Sequence, residues 1–391
     1  MKTIRDLELK DKRVLIRVDF NVPMNEQGEI TDDLRIRTVL PTIQYALEQG
    51  AKVILASHMG RPKGKRVEKY SLAPVAKRLA ELIGKEVKLT AYCVGPEAEK
   101  AVAALSSGEI MLLENLRYHA EEEANDQEFS KQLAALADVY INDAFAASHR
   151  AHASVAGITA HVKEKAAGLL LHKELDYFHR AIDAPQRPLV AIVGGAKVSS
   201  KLNALTRMLD KVDKMLIGGA MANTFLKSQG VAVGASKVED DLLESARQVL
   251  TDAKAKGVKV YLPIDVIAAD RFAPDAVCKQ VTVQDIPEGW MALDIGPASV
   301  ICFSEVLADA KTIVWNGPMG AFEMDAFARG TMALAHAVAS SHALSITGGG
   351  DSNAAVMQSG EAANISYMST GGGAFLELME GKVLPGVAAL E

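Results

Sequence analysis

Short runs of apolar residues recur along the chain, each followed by a stretch in which apolar positions return every three or four residues. The runs are 14–18, 53–56, 110–113, 139–142, 189–193, 214–218, 259–262, 312–315 and 343–347. They are continuously apolar rather than alternating, as expected of strands covered on both faces by helices. Between them the helical period is clear at 72–83, 126–137, 240–255 and 327–340. This alternation predicts an α/β fold of parallel sheets with right-handed helical crossovers. Residues 168–183 read as one helix, ended by Ala184-Pro185, and a fresh strand and glycine-rich loop begin after Pro188. The pattern therefore predicts two doubly wound, Rossmann-like domains, 1–167 and 188–373, joined by a hinge helix at 168–187 and followed by a tail at 374–391.

Composition changes little in that picture. At 391 residues the chain can build two cores, and 49% apolar with 24% charged residues is ordinary for a globular protein. A net charge of −6 supplies no whole-molecule field that would recruit nucleic acid or an acidic membrane. Neither a signal-like apolar run nor a membrane-length segment is visible, so a cytoplasmic protein is expected. Cys93, Cys278 and Cys302 form no CxxC unit or disulfide framework and are expected as small buried apolar residues.

Charge placement is more informative. Ten arginines lie in the first 150 residues and six in the remaining 241. Several of the ten follow predicted strands, where ligands bind in open parallel sheets: Arg61 after His58, then Arg117, then Arg150, with Arg35 opening a helix. Guanidinium groups hold phosphate and carboxylate through paired bonds, so a small molecule carrying both groups suits such a pocket. Each arginine taken alone could equally be a surface ion-pair partner.

The second half carries three glycine-rich turns, each between an apolar strand and a helical pattern: 188–201, 344–355 and 368–378. Glycines let the backbone turn sharply and let anions approach free N–H groups, although each could be a plain strand-end turn. None reads GxxxxGK[ST] or GxGxxG. Lys197 and Lys201, four apart, are expected on one face of a helix following Gly195. Positive charge there opposes the helix dipole, which points to a polyphosphate counter-charge, with solvated lysines as the alternative. Asp351, after three glycines, suits either a helix cap or a Mg²⁺ ligand beside phosphate.

The strings RVDFNVP (17–23), SHMGRP (57–62), ENLRYHAEE (114–122), GGAKVSSK (194–201), WNGPMGAFE (315–323), TGGGDS (347–352) and STGGGAFLELMEGK (369–382) resemble, in order and over the whole chain, the phosphoglycerate kinase family. The resemblance implies reversible phosphoryl transfer between ATP and the carboxylate of 3-phosphoglycerate, with Mg²⁺, in a cytoplasmic monomer that binds only small molecules. It assigns Asp19 and Asn21 to the hydroxyl and carboxylate end of that substrate. His58, Arg61, Arg117 and Arg150 fall on its phosphate, and Arg35 on the reacting carboxylate. In the second domain it assigns Gly194, Lys201, Gly349, Gly350, Ser352 and the metal-linked Asp351 to nucleotide phosphates. Asn316, Pro318 and Glu323 go to the adenosine site, and Lys197 with Gly372 to the transferring group. The tail is implied to return to the first domain.

Two departures stand out: Ala146-Ala147-Ser148 where the family reads Gly-Thr-Ala, and Ser352 where it reads threonine. The alanine pair is expected to alter the loop presenting Arg150, whereas Ser352 keeps the hydroxyl. A carboxylate acceptor is already ionised at pH 7, which accounts for the lack of a general-base motif. Competing readings are a nicotinamide-dependent dehydrogenase, against which the missing GxGxxG counts, and a non-catalytic nucleotide-binding scaffold of the same fold. Against the scaffold, Arg35, Lys197, Lys201 and Asp351 are all present.

Overall fold

The computed structural model describes residues 1–391, which divide into two compact units. One comprises Met1–Leu175 with Val383–Glu391, the other Asp176–Lys382.

The first unit is built on six parallel strands: β1 (Arg13–Arg17), β2 (Lys52–Ala56), β3 (Lys88–Leu89), β4 (Ile110–Leu112), β5 (Val139–Asn142) and β6 (Glu164–Ala167). Their spatial order is β3-β4-β2-β1-β5-β6. Val14, Ile16, Val53, Leu55, Ile110, Leu112, Val139 and Ile141 are buried against Ile36, Val39 and Ile43 of helix Leu34–Glu48 and Val75 and Leu79 of helix Ala73–Ile83. Each such side chain removed from water contributes about 1.5–3 kcal/mol. Successive strands run away from β1 on both sides, so the β1–β5 boundary is a switch point where a crevice opens at the carboxyl ends.

The second unit contains β7 (Leu189–Val193), β8 (Lys214–Ile217), β9 (Lys259–Tyr261), β10 (Asp265–Ala269), β11 (Cys278–Thr282), β12 (Met291–Ile295), β13 (Thr312–Asn316), β14 (Leu344–Gly348) and β15 (Tyr367–Ser369). Six are parallel, in the order β15-β14-β13-β7-β8-β9, with the switch point between β13 and β7. Trp315, Ile313, Val190 and Ile192 pack with Phe303, Leu334 and Val338 from the covering helices. The remaining three form an antiparallel sheet, β11-β10-β12, over a small separate core that includes Val266, Ala268 and Ile286.

All nine apolar runs become strands, and six further strands appear that periodicity did not predict. β6 reads Glu-Lys-Ala-Ala at a sheet edge, β11 is almost wholly exposed, and β12 carries a buried aspartate. The helix expected over 168–183 is α-helical only at Leu169–Phe178. At His179–Asp183 the turn widens, with Ala184 N bonded to His179 O at 2.9 Å, as the chain prepares to stop before Pro185. Of the cysteines only Cys93 is buried and Cys278 is exposed, because β11 turns that side chain to solvent; none is disulfide-bonded. No helix is long and apolar enough to cross a membrane.

Candidate functional site

In the first unit the strand ends converge on Arg17, an arginine that sequence reading placed in a motif but not in the site. Its side chain is almost completely buried at the end of β1. The guanidinium donates to Ser154 Oγ at 2.8 Å and to the Val18 carbonyl, and lies 3.2 Å from His58 Nδ1. A charge so buried requires partners on every side. Beneath it the fully buried Glu122 accepts from Ser154 N at 2.9 Å and Ser154 Oγ at 2.6 Å, and burial raises its pKa against the pull of Arg17. The signal for Arg17 was an arginine closing an otherwise apolar run.

Around this core stand the predicted residues. Burial would raise the Asp19 pKa, but His58, Arg35 and Arg17 bring it below the ordinary value, and Arg35 reaches Asp19 Oδ2 at 2.6 Å. Asn21 Oδ1 accepts from Gly60 N at 2.8 Å, and Arg117 donates to Gly60 O at 2.9 Å. Arg117 Nε lies 3.2 Å from Glu123 without hydrogen-bond alignment, so this buried guanidinium retains an unmatched donor. Burial, against the opposing charge of Asp19, drives the His58 pKa well below its usual value, so the ring is neutral at pH 7. Burial and the charges of Arg117, Arg17 and Arg150 push His152 down to about 3. Arg150 thus belongs electrostatically to the cluster, carried on a loop whose turn Phe145–Ala147 closes through Ser148 N to Phe145 O at 2.9 Å. Arg61 follows Gly60 and is exposed.

In the second unit the switch point is filled by lysine and backbone. Lys201 Nζ donates to Gly194 O at 2.6 Å and Asn316 O at 2.9 Å, so it straddles the ends of β7 and β13. Burial lowers its pKa to about 8, with Asp351 pulling the other way. Asn316 Nδ2 donates to Gly348 O at 2.6 Å, and Ser352 Oγ accepts from Gly317 N at 2.6 Å. Gly195 N bonds Pro318 O at 3.0 Å, and a Cβ on Gly194 would lie 2.1 Å from that same carbonyl. Gly349, at φ +102°, packs so closely on Gly372 that a Cβ on the latter would stand 2.8 Å from its Cα. Helices Gly350–Gln358 and Gly372–Met379 therefore begin beside one another, their free N–H groups available to an anion.

One expectation needs correction, and the alternative reading of Asp351 as a helix cap falls. Lys197 and Lys201 do not share a helix face: the helix is Leu202–Met208, preceded by Lys201 in a non-helical conformation at φ −131°. Starting late keeps both positive charges out of the first turn, where the dipole disfavours them. Asp351 makes no cap bond, since the capping position is Gly349, and its carboxylate is exposed. Lys197 and Glu323 are exposed too. Two carboxyls buried near helix starts, one in each unit, have raised pKa values: Asp143 accepts from Leu171 N at 3.0 Å and Asp294 from Gly330 N at 2.7 Å. Burial lifts both to about 7.

Two doubly wound units, one with arginines gathered at its strand ends and the other with glycine turns and a lysine, define an α/β protein of two parallel sheets. The family model described as phosphoglycerate kinase matches residues 4–382. The chain is 68% identical to the phosphoglycerate kinase of Desulfotalea psychrophila over the full length of both, and 61% identical to that of Geobacter metallireducens over 98% of this chain and 96% of that one. The solved phosphoglycerate kinase of Coxiella burnetii matches with a TM-score of 0.91 at 45% identity, covering 99% of this chain and 98% of that one. This chain belongs to the phosphoglycerate kinase family, and is a phosphotransferase with a carboxyl group as acceptor.

Proposed function

We propose that the first unit binds 3-phosphoglycerate and the second binds ATP or ADP, and that the γ-phosphoryl group passes in line to the substrate carboxylate, giving ADP and 1,3-bisphosphoglycerate reversibly. The observation that carries this reading is the gathering of Arg17, Arg35 and His58 around Asp19, with Arg117 acting on His58, in a chain matched by the family over nearly its whole length. The guanidinium groups of this cluster offer fixed cations to a phosphate and a carboxylate, and an already ionised acceptor needs no general base.

His58, Arg61, Arg117 and Arg150 take the phosphate end, Asp19 and Asn21 the hydroxyl and carboxylate end, and Arg35 the reacting oxygen. In the second unit Gly194, Gly349, Gly350, Lys201 and Ser352 take the nucleotide phosphates, while Asn316, Pro318 and Glu323 line the adenosine. Lys197 and the start of the helix at Gly372 neutralise the moving group. No three His, Cys, Asp or Glu side chains cluster to form a metal cage. The lone exposed carboxylate of Asp351 suits Mg²⁺ that arrives with the nucleotide, since this ion takes one or two carboxylates and fills its remaining positions with phosphate oxygens and water. Bound there, Mg²⁺ would neutralise phosphate charge. The reading includes bending at residues 168–187 when both substrates bind, in a cytoplasmic monomer.

A coupled assay with 3-phosphoglycerate, ATP and Mg²⁺ tests the proposal. Turnover is expected, and well-folded protein without it would remove the reading. Small-angle scattering that is unchanged by both substrates together would remove the bending.

A further inference from the structure

The loop that presents Arg150 is held from an unexpected quarter. Asn142, the last residue of β5, is fully buried, and its Nδ2 donates both to Ser148 Oγ at 3.1 Å and to Gly386 O at 3.0 Å. Ser148 Oγ in turn donates to Ala144 O at 3.0 Å, and Gly386 N donates to Ser148 O at 2.8 Å. Gly386 lies in the short helix Pro385–Ala388, between the buried Leu384 and Leu390. Lys165 Nζ fastens the same segment through Ala389 O at 2.7 Å. There is no spare room: a Cβ on Gly386 would stand 2.5 Å from Val155 Cγ1 and 2.9 Å from Ser148 Cα.

We propose that the segment Val383–Glu391 is a positioning element for the anion site of the first unit. Gly386 and Ser148 act as positioning residues that set the direction in which Arg150 is presented. Ser148 is two residues before Arg150, and Arg150 N bonds Ala147 O at 3.1 Å, so a displacement of Ser148 passes along a rigid turn to the guanidinium. A side chain that meets phosphate through paired bonds loses much of its grip when moved by an ångström. The chemistry of the ligand, a phosphorylated carboxylate, rests on the proposed function; the clamp itself rests on these contacts.

The test is isothermal titration of the full chain with 3-phosphoglycerate and, separately, with ADP, for the wild type, Gly386→Ala and Ser148→Ala. In Gly386→Ala the added methyl should weaken 3-phosphoglycerate by about tenfold. Loss of the hydroxyl in Ser148→Ala should weaken it by about threefold. ADP affinity should stay within about twofold in both, a split that general destabilisation does not produce. Unchanged 3-phosphoglycerate affinity in Gly386→Ala, or parallel loss of both ligands, overturns the clamp. Should Gly386→Ala fail to fold, Ser148→Ala decides by the same criteria. A wild type that binds ADP but no 3-phosphoglycerate overturns the reading of the site, whereas a binding wild type with unaffected variants overturns the clamp alone.

Discussion

The two units wind their sheets by the same rule, with strands leaving a central pair in both directions, yet they fill the resulting crevice by opposite means. In the first, side chains do the holding: Arg17, Arg35 and Arg117 aim charge at the strand ends, and Asp19 and Glu122 are built in beneath as counter-charge. In the second, the backbone does it: close-packed glycines at Gly194, Gly349 and Gly372 bring strand ends and helix starts together, the helices at Gly350 and Gly372 offer their first N–H groups, and the half-buried Lys201 supplies charge. A site made of side chains is damaged by removing atoms, and one made of close-packed backbone by adding them.

The largest expected effect concerns transfer itself. Lys197→Ala should lower kcat by about 10²–10³ with both substrates still bound, the range for losing one donor to a transition state; steady-state kinetics that leave kcat near normal would take Lys197 out of the reaction. Next, Gly194→Ala should weaken ADP by about 50-fold while sparing 3-phosphoglycerate, because the new methyl meets the Pro318 carbonyl. Arg117→Ala should do the reverse, weakening 3-phosphoglycerate by about 20-fold and sparing ADP. If titrations show either variant damaging both ligands alike, the contrast between the units fails.

Lysine 201 sharpens the comparison through pH. Its pKa in the free protein lies at about 8 and must rise when a phosphate binds. Nucleotide affinity is therefore full well below pH 8 and should fall as pH rises above it, approaching about tenfold per unit. Lys201→Arg should flatten that profile, and a wild-type profile flat from pH 7 to 9.5 would show that Lys201 meets no phosphate. The last effect bears on stability rather than on either ligand. Asp143 and Asp294 are raised from 3.8 to about 7, so the folded state holds protons that the unfolded state releases, and stability from these groups is lost as pH rises from about 4 to about 7. Asp143→Asn and Asp294→Asn should each gain about 2–3 kcal/mol relative to wild type between pH 5 and pH 8 in urea unfolding.

What the sequence made legible follows from how each element is stabilised. Strands buried on both faces, such as Leu189–Val193, announce themselves because every residue must be apolar. β11 and β6 do not, because an exposed or edge strand owes its place to neighbouring backbone rather than to its own side chains. The site residues at strand ends were legible from punctuation, an arginine or glycine immediately after an apolar run. Arg17 and Glu122 were harder, since nothing local distinguishes a buried charge from a surface one until its partners, here Ser154 and His58, arrive from distant segments. The late start of the helix after Lys201 was missed because spacing alone does not reveal which residues the first turn will accept.

The first unit is discontinuous along the chain: it includes Val383–Glu391, where Leu384 and Leu390 are buried, more than two hundred residues after β6. Synthesis makes the bulk of that unit before the second unit and its remaining piece after it. The contacts that Gly386 makes with Ser148 and Val155 can therefore form only after the whole second unit has been synthesised. A chain cut short of residue 384 would carry the second unit's parallel sheet entire and a first unit lacking one piece.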